Sequence, residues 1–169
     1  MNYLHCNMPS SSVPLSLYFH IPFCSTKCSY CAFNTYINLE HMIPRFVDAL
    51  AKEAELVGKG QTVGTIFFGG GTPSLLTPEQ FTRIFESIYR AYDVQPDTEI
   101  SLEANPSDLD LPYLSALREA GFNRLSIGMQ TANANELQLF NRRHDNDQVA
   151  RAVFAARRAG FDNLNLDLI

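Results

Sequence analysis

The fold of this 169-residue chain is most restricted by five short apolar runs, each joined to a helix-patterned segment or a loop of unusual composition. Leu15 to Phe19, apolar and aromatic, reads as a buried strand that Pro22 ends before the first loop begins. Val63-Gly-Thr-Ile-Phe-Phe68 is a second strand, running directly into Gly69-Gly70-Gly71-Thr72-Pro73-Ser74. Thr98-Glu-Ile-Ser-Leu-Glu103 alternates polar and apolar residues and leaves through Ala104-Asn105-Pro106. Asn123-Arg-Leu-Ser-Ile127 opens onto Gly128-Met129-Gln130, and Leu164-Asn-Leu-Asp-Leu-Ile169 reads as the fifth strand.

Helical spacing fills the intervals. Pro44 suits a first helical turn, Phe46, Val47, Leu50, Ala54 and Val57 recur on one face, and Gly58 stops the helix. Thr77-Pro78-Glu79-Gln80 carries a capping box and a Pro at the first helical position, ahead of an inner face of Phe81, Ile84, Phe85 and Ile88. Leu114, Leu117 and Ala120 predict a helix ended by Gly121. Asn133 to Phe140 predicts a short helical turn, and Val149, Ala152, Val153 and Ala156 a last helix ended by Gly160. Ala120-Gly-Phe-Asn-Arg-Leu125 returns as Ala159-Gly-Phe-Asp-Asn-Leu164, each at a helix-to-strand junction, which registers the strands. The alternation predicts an α/β fold with a parallel sheet and right-handed crossovers. Every polar or glycine loop falls at a strand's C-terminal end, where barrel and open α/β enzymes build their sites. The last strand has no helix after it to cover its face, so the expectation is a truncated protein or fragment.

The length suits one domain, placed at residues 15–169. Residues 1–14, with Cys6 and Pro9-Ser-Ser-Ser-Val-Pro14, are expected to be a flexible tail. With 46% hydrophobic and 18% charged residues, the composition is that of a globular protein. No apolar run approaches the roughly 20 residues that span a bilayer. A formal charge of −5 with scattered Lys and Arg argues against nucleic acid as a partner. The start of the chain lacks the basic and apolar regions of a secretory signal, and clustered cysteines fit metal binding in a reducing cytoplasm.

Three of the four cysteines lie in Cys24-Ser-Thr-Lys-Cys28-Ser-Tyr-Cys31, so one loop can bring three thiolates to one metal centre. A structural zinc site closes its tetrahedron with a fourth Cys or His, and His20 is the available candidate. An iron-sulfur cluster on three cysteines keeps one iron open for a substrate or cofactor. The residues alone leave both alternatives standing.

The loop resembles the signature of the radical S-adenosylmethionine superfamily, three cysteines at these spacings with an aromatic residue, here Tyr30, before the third. Tyr18-Phe-His-Ile-Pro-Phe-Cys24, Phe68-Gly-Gly-Gly-Thr-Pro-Ser-Leu75, Glu103-Ala-Asn-Pro106, Arg124-Leu-Ser-Ile-Gly-Met-Gln130 and Asn165-Leu-Asp-Leu-Ile169 are similar, in order, to the blocks of one branch. That branch contains oxygen-independent coproporphyrinogen III oxidase and the HemW-type heme chaperones, and the resemblance runs from Leu15 to the last residue. The oxidase carries a fourth cysteine two positions past the third, where this chain has Phe33. Cys31-Ala-Phe-Asn34, with the glycine and Glu103 blocks, is closer to the HemW pattern. Two departures are Ala32, where an acidic residue is common, and Phe140-Asn141, where Leu-Gly is usual.

The resemblance implies a partial, open (β/α) barrel of the radical SAM type, cut off after about five parallel strands. It implies a 4Fe-4S cluster on Cys24, Cys28 and Cys31, whose free iron takes the amino and carboxylate groups of S-adenosylmethionine. Reduction would then cleave the sulfonium to a 5'-deoxyadenosyl radical. Positions matching Tyr18, Tyr30, Gly70, Gly71, Thr72, Glu103, Gln130, Arg142 and Asp167 line the S-adenosylmethionine site in that family. Residue chemistry is compatible with this and has plainer alternatives. Gly70 and Gly71 permit close backbone approach or simply a turn. Glu103 can accept ribose hydroxyls or be a solvated strand-end acid, and Gln130 can be a surface residue. Arg142 can clamp a carboxylate, or Arg142-Arg143 can lie on a solvated helix face. Asp167, among apolar residues, is costly unless paired, which favours a site role. Tyr18 and Tyr30 are nucleoside contacts or core, His20 is structural or on the heme or cluster side, and His144 is unassigned.

The function so implied is a heme chaperone, with coproporphyrinogen oxidation as the alternative and an inactive fragment as a third reading. Implied partners are heme or a porphyrin, an electron donor and a heme-acceptor protein. The heme-ligating segment is expected outside this chain.

Overall fold

A computed structural model describes residues 13–169. The tail assigned to residues 1–14, with Cys6, lies outside the described residues except for its last two positions. The main strands are Leu15–Ile21 (β1), Thr62–Gly70 (β4), Asp93–Ala104 (β5), Arg124–Gln130 (β6) and Asn163–Leu168 (β7). Two short strands, Phe23–Cys24 (β2) and Tyr36–Ile37 (β3), pair with each other beside them. The helices are Ile43–Val57 (α1), Pro78–Ala91 (α2), Leu111–Ala120 (α3), Ala134–Leu139 (α4) and Asn146–Arg158 (α5).

The main sheet is parallel in all its pairings and runs β1-β4-β5-β6-β7, strictly in chain order. A doubly wound sheet reverses its strand order partway. This one never does, so it curves as a barrel wall does, with helices on one face.

That face holds the core. Phe68 on β4 meets Phe81 and Phe85 of α2 and Phe122 in edge-on contacts at centroid distances of 5.3, 5.6 and 5.4 Å. Ile66, Leu102, Leu125 and Ile127 on the same side of the strands are fully buried beneath the helices. The opposite face is polar, with Glu99, Ser101 and Glu103 on β5 beside Arg124 and Ser126 on β6. The alternation in Thr98 to Glu103 therefore reflects one face packed by helices and one face lining an interior.

Local stops behave as the sequence predicts, though one acts for a different reason. Thr77 and Gln80 form the reciprocal capping box of α2, and Gly121 ends α3 at φ +116°, a conformation that disfavours a side chain. Gly58, at φ −66°, needs no special backbone freedom. A Cβ there would sit 2.5 Å from Ala91 Cβ, so the glycine is required by the packing of α1 against the end of α2. On α1 the buried positions are Ile43, Val47, Ala51 and Ala54, whereas Val57, expected on the inner face, is exposed at the last turn. The third predicted strand begins at Asp93, earlier than its alternation indicated, because a register shift between Val63 and Thr65 lets β4 pair with both parts of β5. No helix among the described residues is long and apolar enough to cross a membrane.

Phe122 is fully buried and lies within 5.4 Å of three other aromatic rings, centroid to centroid. Phe122→Ala should cost about 3–5 kcal/mol in urea denaturation, against about 1 kcal/mol for the cap substitution Thr77→Ala.

Candidate functional site

The site is built where β1 hands over to β2. Gly71 N–H donates to Ile21 O and Thr72 N–H to Phe23 O, each at 2.8 Å, so the glycine loop after β4 lies directly against the entry to the cysteine loop. A Cβ on Gly71 would stand 2.6 Å from Phe23 O and 3.1 Å from Cys24 Sγ, closer than atoms can pack. Gly70, at φ +109°, passes under the His20 ring, where a Cβ would meet ring atoms at 2.4 Å. Both glycines are thus demanded by approach distance.

The far side of the cysteine loop is fastened to the end of α4. Ser29 Oγ donates to Leu139 O at 2.8 Å, and Asn141 Nδ2 donates to Lys27 O at 2.9 Å. Asn141 has φ +56°, a left-handed conformation that Asn tolerates better than most residues. The departure from Leu-Gly noted at Phe140-Asn141 is therefore structurally compatible. Asn141 adopts the turn and adds a side-chain tie, while Phe140 packs edge-on against Tyr30 at 5.3 Å. The other departure, Ala32, is exposed.

A cavity of about 330 Å³ opens between these loops and the strand ends. It brings together Cys24, Cys28, Cys31, Tyr30, Gly70, Gly71, Thr72, Glu103, Gln130, Arg142 and Asp167, each singled out in the sequence. Tyr18 is not on its wall. Tyr18 is 58% exposed on the edge strand, stacked on Phe67, with its hydroxyl 3.5 Å from His20 Nδ1. It stands next to the cavity through Gly69, where an added Cβ would meet both Tyr18 Oη and Glu103 Oε2. His20 Nε2 is 3.0 Å from Asn34 O, which is a structural role.

Arg142 lies before α5, in a turn rather than on a helix face. Its Nη2 donates to Gly128 O at 2.7 Å, and its Nη1 to Cys28 Sγ at 3.3 Å and the Tyr30 hydroxyl at 3.4 Å. Asp167 is paired: Ser126 Oγ donates to it at 2.8 Å. Ser126 and Asn165 also border this carboxylate and were not singled out. Ser126 falls in the same alternation as Gly128 and Gln130, the signal that could have found it. Gln130 itself has φ +69°, which turns the chain away at the end of β6.

Burial raises the Glu103 carboxyl above its ordinary range, opposed by the Gly70 N–H at 3.1 Å and reinforced by Asp167. Burial pushes the Cys24 thiol up, partly offset by Thr72 Oγ1, 3.5 Å from its sulfur. Burial also pushes the Tyr30 hydroxyl up to about 12, against the pull of Arg142.

Three thiols on one wall form a donor set suited to an iron-sulfur cluster. Among the described residues no three His, Cys, Asp or Glu side chains stand close enough together to hold a single metal ion. One further polar atom in a residue of the cavity wall, Arg142 Nε, is buried without a hydrogen-bond partner. Thiols, close-packed glycines and an unpaired guanidinium nitrogen fit a ligand-bearing cluster.

Comparison with known proteins agrees with this geometry. The Radical SAM superfamily pattern matches residues 18–169. The chain is 38% identical over 167 residues to the protein named heme chaperone HemW of Mycobacterium tuberculosis, covering 95% of this chain and 43% of that protein. It is 40% identical over 162 residues to the oxygen-independent coproporphyrinogen III oxidase of Synechocystis, covering 92% of this chain and 34% of that protein. The chain therefore spans less than half the length of these relatives. Among solved structures, the radical SAM enzyme coproporphyrinogen III oxidase HemN of Escherichia coli superposes with a TM-score of 0.84. It is 36% identical and covers 92% of this chain and 37% of that one.

His144, unassigned in the sequence, is buried with Nε2 3.0 Å from Met129 O and Nδ1 unpartnered. Burial lowers its affinity for a proton, so the neutral form is the folded one. A depressed folded value gives stability that is present above about pH 6.5 and lost as pH falls through it. Urea midpoints measured from about pH 7.5 down to about pH 5 should fall for the wild type, and the fall should be smaller for His144→Gln.

Proposed function

Given that the chain belongs to the radical SAM superfamily, in the HemW and HemN-like group, we propose that residues 15–169 form the N-terminal part of the core of a HemW-type heme chaperone. Membership implies a 4Fe-4S cluster and S-adenosylmethionine as cofactors. The observation that carries the cofactor part of the proposal is the convergence of Cys24, Cys28 and Cys31 on one cavity with Gly70, Gly71, Glu103, Gln130, Arg142 and Asp167.

In this reading Cys24, Cys28 and Cys31 hold the cluster. A cluster bound there would supply an electron, received from the electron donor, for reductive cleavage of the sulfonium of S-adenosylmethionine. The chain's own residues bind and orient. Gly70 and Gly71 keep the loop free of side chains, so backbone can lie against the ligand. Arg142 presents a guanidinium to a carboxylate, while Glu103 and Asp167 accept from hydroxyl and amino groups. A cavity holding both signs of charge suits a ligand that is itself an amino acid joined to a nucleoside. Tyr30 offers an aromatic face at the rim, Thr72 and Gln130 offer polar contacts, and Tyr18 reaches the ligand only from beyond Gly69. The free thiols suit a reducing cytoplasm.

Phe33 supports the chaperone over the oxidase. It is 66% exposed on the cavity wall, at the position where the resembled oxidases carry a further cysteine. The proposed partners are heme, with its ligands outside this chain, an electron donor and a heme-acceptor protein. A second reading, coproporphyrinogen oxidation, draws on the 40% identity to a protein of that name, which equals the identity to heme chaperone HemW of Bacillus subtilis.

Anaerobic reconstitution should give iron-sulfur absorption that is lost when Cys24, Cys28 and Cys31 are all replaced by Ala. Its persistence in that variant would refute the ligand assignment. Arg142→Ala should keep most of the absorption and weaken S-adenosylmethionine binding by roughly 10- to 100-fold, the weight of a charge-assisted contact. Incubating the full gene product with coproporphyrinogen III, reductant and S-adenosylmethionine should give no protoporphyrinogen. Its formation would establish the oxidase instead.

A further inference from the structure

Arg142, Arg143 and His144 reach in three directions from one turn. Arg142 points to the cysteine loop and Gly128 O, and His144 to Met129 O. Arg143 turns to Asp108, its Nη2 donating to both carboxylate oxygens at 2.9 and 3.1 Å. The pair is largely shielded, with the side chains 27% and 12% exposed. Asp108 is not on the cavity wall, and nothing in the binding scheme above requires it.

Asp108 is nevertheless where the loops of the site meet. Its Oδ2 accepts from Ser74 Oγ at 2.9 Å, and Ser74 Oγ in turn accepts from Asn105 N–H at 3.1 Å. Ser74 stands two residues after Thr72, and Asn105 two after Glu103. Tyr113 Oη donates to Leu76 O at 2.8 Å and lies 3.2 Å from Ser74 O, closing the network from α3. One carboxylate thus ties together the loop that carries Gly70 to Thr72, the loop that follows Glu103 and the turn that carries Arg142.

We propose that Asp108 is a positioning residue of the site: through Arg143 and Ser74 it sets the placement of Arg142 against the glycine loop, and so the affinity of the cavity for S-adenosylmethionine. An ion pair with this little exposure has a fixed geometry, and removal of one partner leaves the other charge shielded and free to pull its loop elsewhere. The effect on the ligand is indirect, transmitted by backbone that carries Thr72, Glu103 and Arg142. This inference rests on the cavity being the S-adenosylmethionine site.

The test uses the reconstituted chain, with equilibrium dialysis of S-adenosylmethionine and electron paramagnetic resonance of the reduced cluster with and without it. Asp108→Asn keeps the size of the side chain and an acceptor for Ser74 but removes the charge facing Arg143. The expected result is unchanged iron content and an unchanged spectrum of the reduced cluster alone. Affinity should fall about tenfold, with a smaller ligand-induced spectral change at matched concentration. Arg143 itself lines the cavity, so Arg143→Gln alone is expected to lose at least as much as Asp108→Asn, and the double variant should lose no more than Arg143→Gln alone.

Wild-type affinity in Asp108→Asn, even with a lowered melting temperature, overturns the proposal, because a merely structural residue would behave so. Losses that multiply in the double variant overturn it as well. Arg143→Lys, which keeps the charge but loses the paired geometry, serves if Asp108→Asn does not fold, and undiminished affinity there is equally fatal. A wild-type chain that holds the cluster but does not bind S-adenosylmethionine refutes the underlying site assignment and not the role of Asp108 within it.

Discussion

The structure depends on how closely two backbones approach at Gly71. Its N–H and that of Thr72 bond to Ile21 O and Phe23 O, so the loop after β4 continues the pairing of β1 and β4 beyond the sheet. This places the cysteine loop over the strand ends and fixes Cys24, 8% exposed, as its most buried thiol. The approach leaves no room for a Cβ. Any side chain there would push the cysteine loop off the sheet, and the other contacts of the cavity presuppose that the loop is seated.

The second organising constraint is the division of the sheet into an apolar and a polar face. Parallel strands are commonly covered on both sides and read as unbroken apolar runs. Here only the helix-covered side is packed, around Phe68, Phe81, Phe85 and Phe122. The other side pairs its polar groups across neighbouring strands, as Arg124 does with Glu99 and Ser126 with Asp167. A polar interior of this kind costs stability unless its groups are satisfied, and the satisfied rows hold Glu103 and Asp167 at the rim. The two carboxylates are close enough for Asp167 to add to the raised proton affinity of Glu103.

Site and scaffold are joined by loops that bind one another more than they bind the sheet. The cysteine loop is held on one side by the glycine loop and on the other by Leu139, Phe140 and Asn141 at the end of α4. Segments more than one hundred residues apart thus share a wall. Superposition on the HemN oxidase at a TM-score of 0.84 shows that the backbone beneath these loops follows a path shared with that structure. Relatives named as chaperone and as oxidase match the chain at similar identity, so this part of the fold alone does not separate the two roles.

The strand and helix order, the capping box at Thr77 and the alternation in Thr98 to Glu103 were all legible in the sequence, because each is a local preference expressed within a few residues. So was the placing of Cys24, Gly70, Glu103, Gln130 and Asp167 toward one end of the sheet, since a parallel sheet sends every strand's C-terminus to the same side, whereas Arg142, in the turn before α5, was pointed to only by the family resemblance. Other features have no local sign. Asp108 and Ser74 are ordinary loop residues until folding brings Arg143 beside them, and the place of Tyr18 beside the cavity, rather than on its wall, depends on the edge position of β1. Gly58 resembles a helix stop in the sequence but is required by Ala91 on another helix. Local patterning determined which elements form and which of their ends carry chemistry. Tertiary structure alone decided which side chains meet across loops, because such contacts depend on close approach between segments whose separation along the chain sets no distance in space.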